Sequence, residues 1–144
     1  MDTFLYAVVP YLAVAIAIVG GIARYRVDRF SYSSQSSQFL ENRALFWGSV
    51  AWHYGILLVL GAHVLALMFW DPWAALVNDP NRLYVLEVIG LALSILAFLG
   101  LLVLLVRRLA VARVTAVTST MDWALLVILL GTAALAIAAL TGYL

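Results

Sequence analysis

Four apolar runs, residues 4–23, 44–70, 83–106 and 123–144, leave this chain few ways to fold. Each clears the length needed to span the hydrocarbon core of a bilayer, about 20 residues. The 144 residues are 67% hydrophobic and only 10% charged, and the mean hydropathy is +1.10. No water-soluble domain of this size carries such a composition, because its apolar residues must face lipid and neighbouring helices. The expected architecture is all-α: a single membrane domain over 1–144, a polytopic bundle with four transmembrane helices. The first run has no basic segment before it and no small-residue cleavage site, so it reads as a retained helix rather than a signal peptide. Pro10 lies inside it, where a kink is expected.

Charge sets the direction of these spans. All eight basic residues are arginine. Arg24, Arg26, Arg29 and Arg43 lie in the first connection, and Arg107, Arg108 and Arg113 in the third. The second connection, residues 71–81, has none, although Arg82 follows at its edge. By the positive-inside rule the arginine-bearing side is cytoplasmic and both termini face outward. Trp47, Trp52, Phe69, Trp70, Trp73, Tyr84 and Trp123 mark the interfaces, as amphipathic rings do at headgroup level. The chain has no cysteine, which excludes disulfides and cysteine-ligated metal or iron–sulfur sites within it. It also lacks a nucleophile elbow, a phosphate loop, zinc-ligand spacing and a nucleic-acid patch.

Within the second run, the stretch from Ala44 to Trp70 carries no charged side chain but holds both histidines of the chain, His53 and His63. An ionisable group at membrane depth is costly and marks a functional site by default. Ten residues of helix separate the two imidazoles by about 15 Å along the axis and about 80° around it. They are too far apart to share one metal ion, yet close enough in projection to share one broad face. Neutral imidazole is a common ligand of haem iron. Haem ligation is therefore favoured over a structural bond to a neighbouring helix and over a proton path. Gly55 and Gly61 flank the apolar stretch between the histidines, where a neighbouring helix or a flat porphyrin can approach. Gly20, Gly21, Gly90 and Gly100 read as helix-packing positions. Glu87 is the one acid inside a span, either satisfied by Arg82 or water, or a proton acceptor near a quinol pocket. The polar stretch from Ser31 to Gln38 reads as a solvated linker or as a docking surface.

Several segments together resemble the gamma subunit family of respiratory nitrate reductases. They are Pro10-Tyr11, Arg24-Tyr25, Ser36-Ser37-Gln38 with Leu40, His53 with Gly55 and His63, Arg107-Arg108-Leu109, and Arg113-Val114 followed by Ala116, Thr118 and Asp122. The likeness runs across essentially the whole sequence. It implies an inner-membrane dihaem cytochrome b that takes electrons from quinol and passes them to iron–sulfur and molybdenum subunits on the cytoplasmic side. His53 would then ligate the haem nearer the cytoplasm and His63 the haem nearer the outer face. The family has five spanning helices, the fifth supplying the second axial histidine of each haem. The 144 residues contain no such helix and no further histidine, so each opposing ligand is expected from outside them. The family's third-helix lysine, associated with quinol, has no counterpart, and Arg82 or Glu87 is the candidate substitute. The contrasting expectation is a haem-free membrane anchor or assembly subunit with structural histidines. Neither reading involves nucleic acid.

Overall fold

The computed structural model describes residue 4, residues 8–27 and residues 37–143, apart from the side chains of Pro10, Gln38 and Tyr143. The chain divides into two compact units, Met1–Ser36 and Ser37–Leu144. In the first, α1 runs from Val9 to Val27 and carries Arg24 and Arg26 in its last turn, where cations complement the helix dipole. Pro10 is the second residue of this helix, two residues after the π-helical Val8. Residues 31–36 of the polar stretch lie outside the described residues.

The second unit begins with a 3-10 turn, Ser37–Phe39. It continues through α2 (Arg43–Met68), α3 (Trp70–Val77), α4 (Pro80–Ala110), α5 (Ala112–Ala116) and α6 (Thr120–Tyr143). The described residues contain no strand, so the fold is all-α as the hydropathy implies. Among them, three helices are long and apolar enough to cross a membrane: Arg43–Met68, Pro80–Ala110 and Thr120–Gly142. They correspond to the second, third and fourth expected spans. The first expected span, 4–23, is described only in part, so the expected number of four transmembrane helices is not reached by the described residues.

Local sequence explains where these helices start and stop. The second apolar run breaks at Phe69, which has φ −125° and ψ 60°. Pro72 would drive its ring into the Met68 carbonyl if α2 continued. The chain instead starts again as α3, a short helix within what sequence patterning assigns to a connection. The Asp79 carboxylate caps α4 by accepting from the backbone N–H groups of Asn81 (2.9 Å) and Arg82 (3.1 Å), and Pro80 occupies the first turn. α6 opens in the same manner: the Asp122 carboxylate accepts from the Ser119 backbone N–H and hydroxyl at 2.9 and 2.8 Å.

α4 is the central helix and packs against α2 on one side and α6 on another. The α2–α4 seam is antiparallel, since Gly48 faces Gly100 and Leu104 while Gly55 faces Leu93 and Ala97. A Cβ on Gly100 would sit 2.5 Å from the Trp52 backbone nitrogen and 2.7 Å from the Gly48 carbonyl. Bare backbone at these positions is what lets two membrane helices come this close. Ala97, 4% exposed, is buried at the same seam, and Leu101, 1% exposed, is buried on the same helix. A Cβ added at Gly61 or Gly90 would meet nothing within 4 Å, so the packing role expected of Gly90 finds no partner helix among the described residues. Large apolar side chains such as Leu57, Leu60, Val103, Val127 and Ile128 face outward, in keeping with a lipid environment.

Candidate functional site

α2 presents both histidines on its exposed surface. His53 stands two residues before Gly55, which rotates it about 160° away from that point of the α4 seam. Each ring is anchored to its own helix. Nδ1 of His53 lies 2.7 Å from the Ser49 carbonyl oxygen, and Nδ1 of His63 lies 2.8 Å from the Val59 carbonyl oxygen. A carbonyl oxygen only accepts, so Nδ1 is the protonated nitrogen of each ring. In a neutral ring this tautomer leaves the lone pair on Nε2, which has no hydrogen-bond partner among the described residues. His53 has a second neighbour at Nδ1, the Ser49 hydroxyl oxygen at 3.1 Å. Among the described residues no group of three or more metal-ligating side chains gathers.

The other two expected site residues lie near the start of α4. The Arg82 guanidinium turns towards Asp79 at 4.0 Å, and both side chains are substantially exposed. Glu87 is half-buried and has no hydrogen-bond or ion-pair partner among the described residues. Five residues of α-helix set Arg82 and Glu87 about 140° apart around the axis. The structure therefore does not pair them, and Arg82 is not the group that satisfies Glu87.

At the opposite end of α4, Arg107 occupies a position that sequence reading does not anticipate. It belongs to the arginines that sequence patterning places in the third connection, yet it is 4% exposed. Its guanidinium donates to the Glu41 carboxylate (2.8 Å), the Ser37 hydroxyl (3.0 Å), the Ser37 carbonyl (2.8 Å) and the Glu41 carbonyl (2.8 Å). One charge-assisted bond to the carboxylate and three bonds to neutral oxygens use the several fixed donors of a planar guanidinium. Glu41 also caps α2, accepting from the Ala44 N–H at 2.8 Å and the Leu45 N–H at 3.3 Å. Those backbone bonds, the Ala44 one foremost, together with Arg107 hold the Glu41 carboxyl below its usual range against the opposing effect of desolvation. Beside the clasp, Phe39 is 95% exposed. Arg43 and Arg113 are exposed as well, whereas Arg108 reaches Thr118 and Asp122.

An all-helical bundle with spans long enough for a bilayer, and with paired outward-facing imidazoles on one apolar helix, defines a class of membrane subunit rather than a soluble enzyme. Residues 2–143 match the nitrate reductase gamma subunit family, and the chain belongs to that family. It is 34% identical to a nitrate reductase gamma chain of Bacillus subtilis over 128 residues, 88% of this chain and 57% of that one. It is 27% identical to the respiratory nitrate reductase 1 gamma chain of Escherichia coli over 127 residues, 85% of this chain and 55% of that one. A nitrate reductase-like protein of Mycobacterium tuberculosis is 33% identical over 110 residues, 75% of this chain and 17% of its own length. The chain thus spans a little over half the length of the gamma chains it matches.

Proposed function

We propose that this chain is the cytochrome b portion of a quinol:nitrate oxidoreductase in the inner membrane. It would pass electrons from quinol to iron–sulfur and molybdenum subunits on the cytoplasmic side. The observation that carries this reading is the state of the two imidazoles. Both Nδ1 atoms are tied to carbonyls of their own helix, which in a neutral ring leaves the lone pair on Nε2, without a partner among the described residues. A histidine retained for packing would bond a neighbouring helix, and neither ring does so among the described residues. An unpartnered Nε2 with Nδ1–H tied to a carbonyl is what an axial ligand of haem requires. His53 and His63 would each hold one haem b, which supplies reversible one-electron storage. Any further ligand to those haems would have to come from outside these residues, which hold no other histidine.

Quinol oxidation is assigned to the outer end, near His63. There the half-buried, unpartnered Glu87 takes up a quinol proton and releases it outward, while Arg82 stays with Asp79. Each electron carried inward moves against the membrane potential at a cost of about 2.3 kcal/mol per 100 mV. The terminal acceptor must therefore lie well above quinol in potential, as nitrate does. The test is the reduced-minus-oxidised spectrum of the purified complex, wild type against His53→Leu and His63→Leu. Each variant is expected to lose about half of the b-type absorption, following from one haem per histidine. A wild-type complex without b-type absorption, or variants that keep all of it, would overturn the assignment.

A further inference from the structure

The two histidines differ in one respect that concerns what they would bind. His53 has the Ser49 hydroxyl at Nδ1 in addition to the carbonyl, whereas the corresponding residue four positions before His63 is Val59, with a carbonyl only. A hydroxyl within a helix ordinarily donates to the carbonyl four residues back. Ser94 and Thr141 do this, donating to Gly90 and Ile137 at 2.8 and 3.0 Å. Ser49 departs from that habit: its recorded bond is to the His53 ring. Because Nδ1–H donates to the Ser49 carbonyl, the Ser49 oxygen is a second acceptor for the same hydrogen.

We infer that Ser49 is a positioning residue that sets the two cofactor sites apart in reduction potential. A second acceptor draws the Nδ1 hydrogen outward and leaves more electron density on the ring. The Nε2 donor is strengthened, and ferric iron is favoured over ferrous. Reduction adds one electron to the iron, and the proton stays on Nδ1 in both states. Ser49 therefore lowers the potential of the site at His53 and leaves the site at His63 untouched. The inference rests on the haem assignment above.

The experiment is a redox titration of the intact complex, with dithionite as reductant and ferricyanide as oxidant, followed at the b-type absorption band. Ser49→Ala is expected to make the His53 site about threefold easier to reduce. At 59 mV per tenfold for one electron, this is a rise of about 28 mV. The other component should not move. Ser49→Thr keeps the oxygen and should restore the original value. Val59→Ser, which places a hydroxyl four residues before His63, should lower the other component instead. If haem is present and Ser49→Ala moves neither component, or moves both equally, the inference fails while the haem assignment stands. If the wild-type complex shows no b-type band, both fail.

Discussion

A single methyl group at Gly100 tests whether the bundle is organised by the α2–α4 seam. An alanine Cβ there would meet the Trp52 nitrogen at 2.5 Å, the Gly48 carbonyl at 2.7 Å and the Ala51 carbonyl carbon at 3.1 Å. All three are backbone atoms and cannot rotate aside. The helices must separate by roughly 0.9 Å at this point to reach ordinary contact, and a gap of that size forfeits a quarter to a half of each dispersion contact along the seam. Overpacking of this kind costs about 1–3 kcal/mol. The gain from replacing a helical glycine, about 0.5–1 kcal/mol, offsets only part of it. Gly90 lies on the same helix, where an added Cβ would meet nothing within 4 Å, so Gly90→Ala should receive that gain without the clash. Equilibrium unfolding of the intact protein in mixed SDS micelles should separate the two variants by about 2 kcal/mol, with Gly100→Ala below wild type. If Gly100→Ala matches wild type, or the two variants shift together, the close backbone contact is not what holds α2 to α4.

Three further outcomes follow from other parts of the molecule. Arg107→Gln should lower stability by about 2 kcal/mol in the same assay through the orphaned Ser37 and Glu41 carbonyls, and protease should then cut near residue 40; an unchanged digest would refute the clasp. Glu41, whose carboxyl is held below its usual range in the fold, adds stability that is complete above the ordinary carboxylate range and lost as pH falls through the lowered value. The difference in thermal midpoint between wild type and Glu41→Gln should therefore shrink on acidification, and a difference that grows would contradict this sign. Cysteines placed at the exposed Asn78 and Ala116 should respond oppositely to an impermeant thiol reagent in intact spheroplasts, Asn78→Cys labelling and Ala116→Cys resisting; the reverse pattern would invert the topology.

The spans from 44, 83 and 123 were legible because lipid imposes one requirement on every residue of a run, so length and hydropathy alone locate the helices. The histidines were legible for the same reason, as ionisable groups in an apolar stretch. Arg107 was not. Its burial depends on Ser37 and Glu41, 70 and 66 residues away, and a local pattern of arginines at a membrane edge carries no trace of such partners. Gly55 and Gly61 looked alike in sequence, yet only Gly55 meets α4, because the crossing point of two helices is a tertiary fact. α3 was within reach: Asp71 and Pro72 at its first turn, like Asp79-Pro80 ahead of α4, are helix-start signals. Ser119 with Asp122 ahead of α6 forms a reciprocal cap of the same kind.

The glycine seam joins α2 to α4 through backbone, on a side of α2 that His53 does not occupy. Closing this hairpin therefore consumes no ligand and hides no imidazole. During biogenesis the helices can be inserted and docked first, and a flat apolar group can then slip in laterally from the lipid, with no helix withdrawn to admit it. A bundle closed at this seam would not have to reopen to take up the proposed haems.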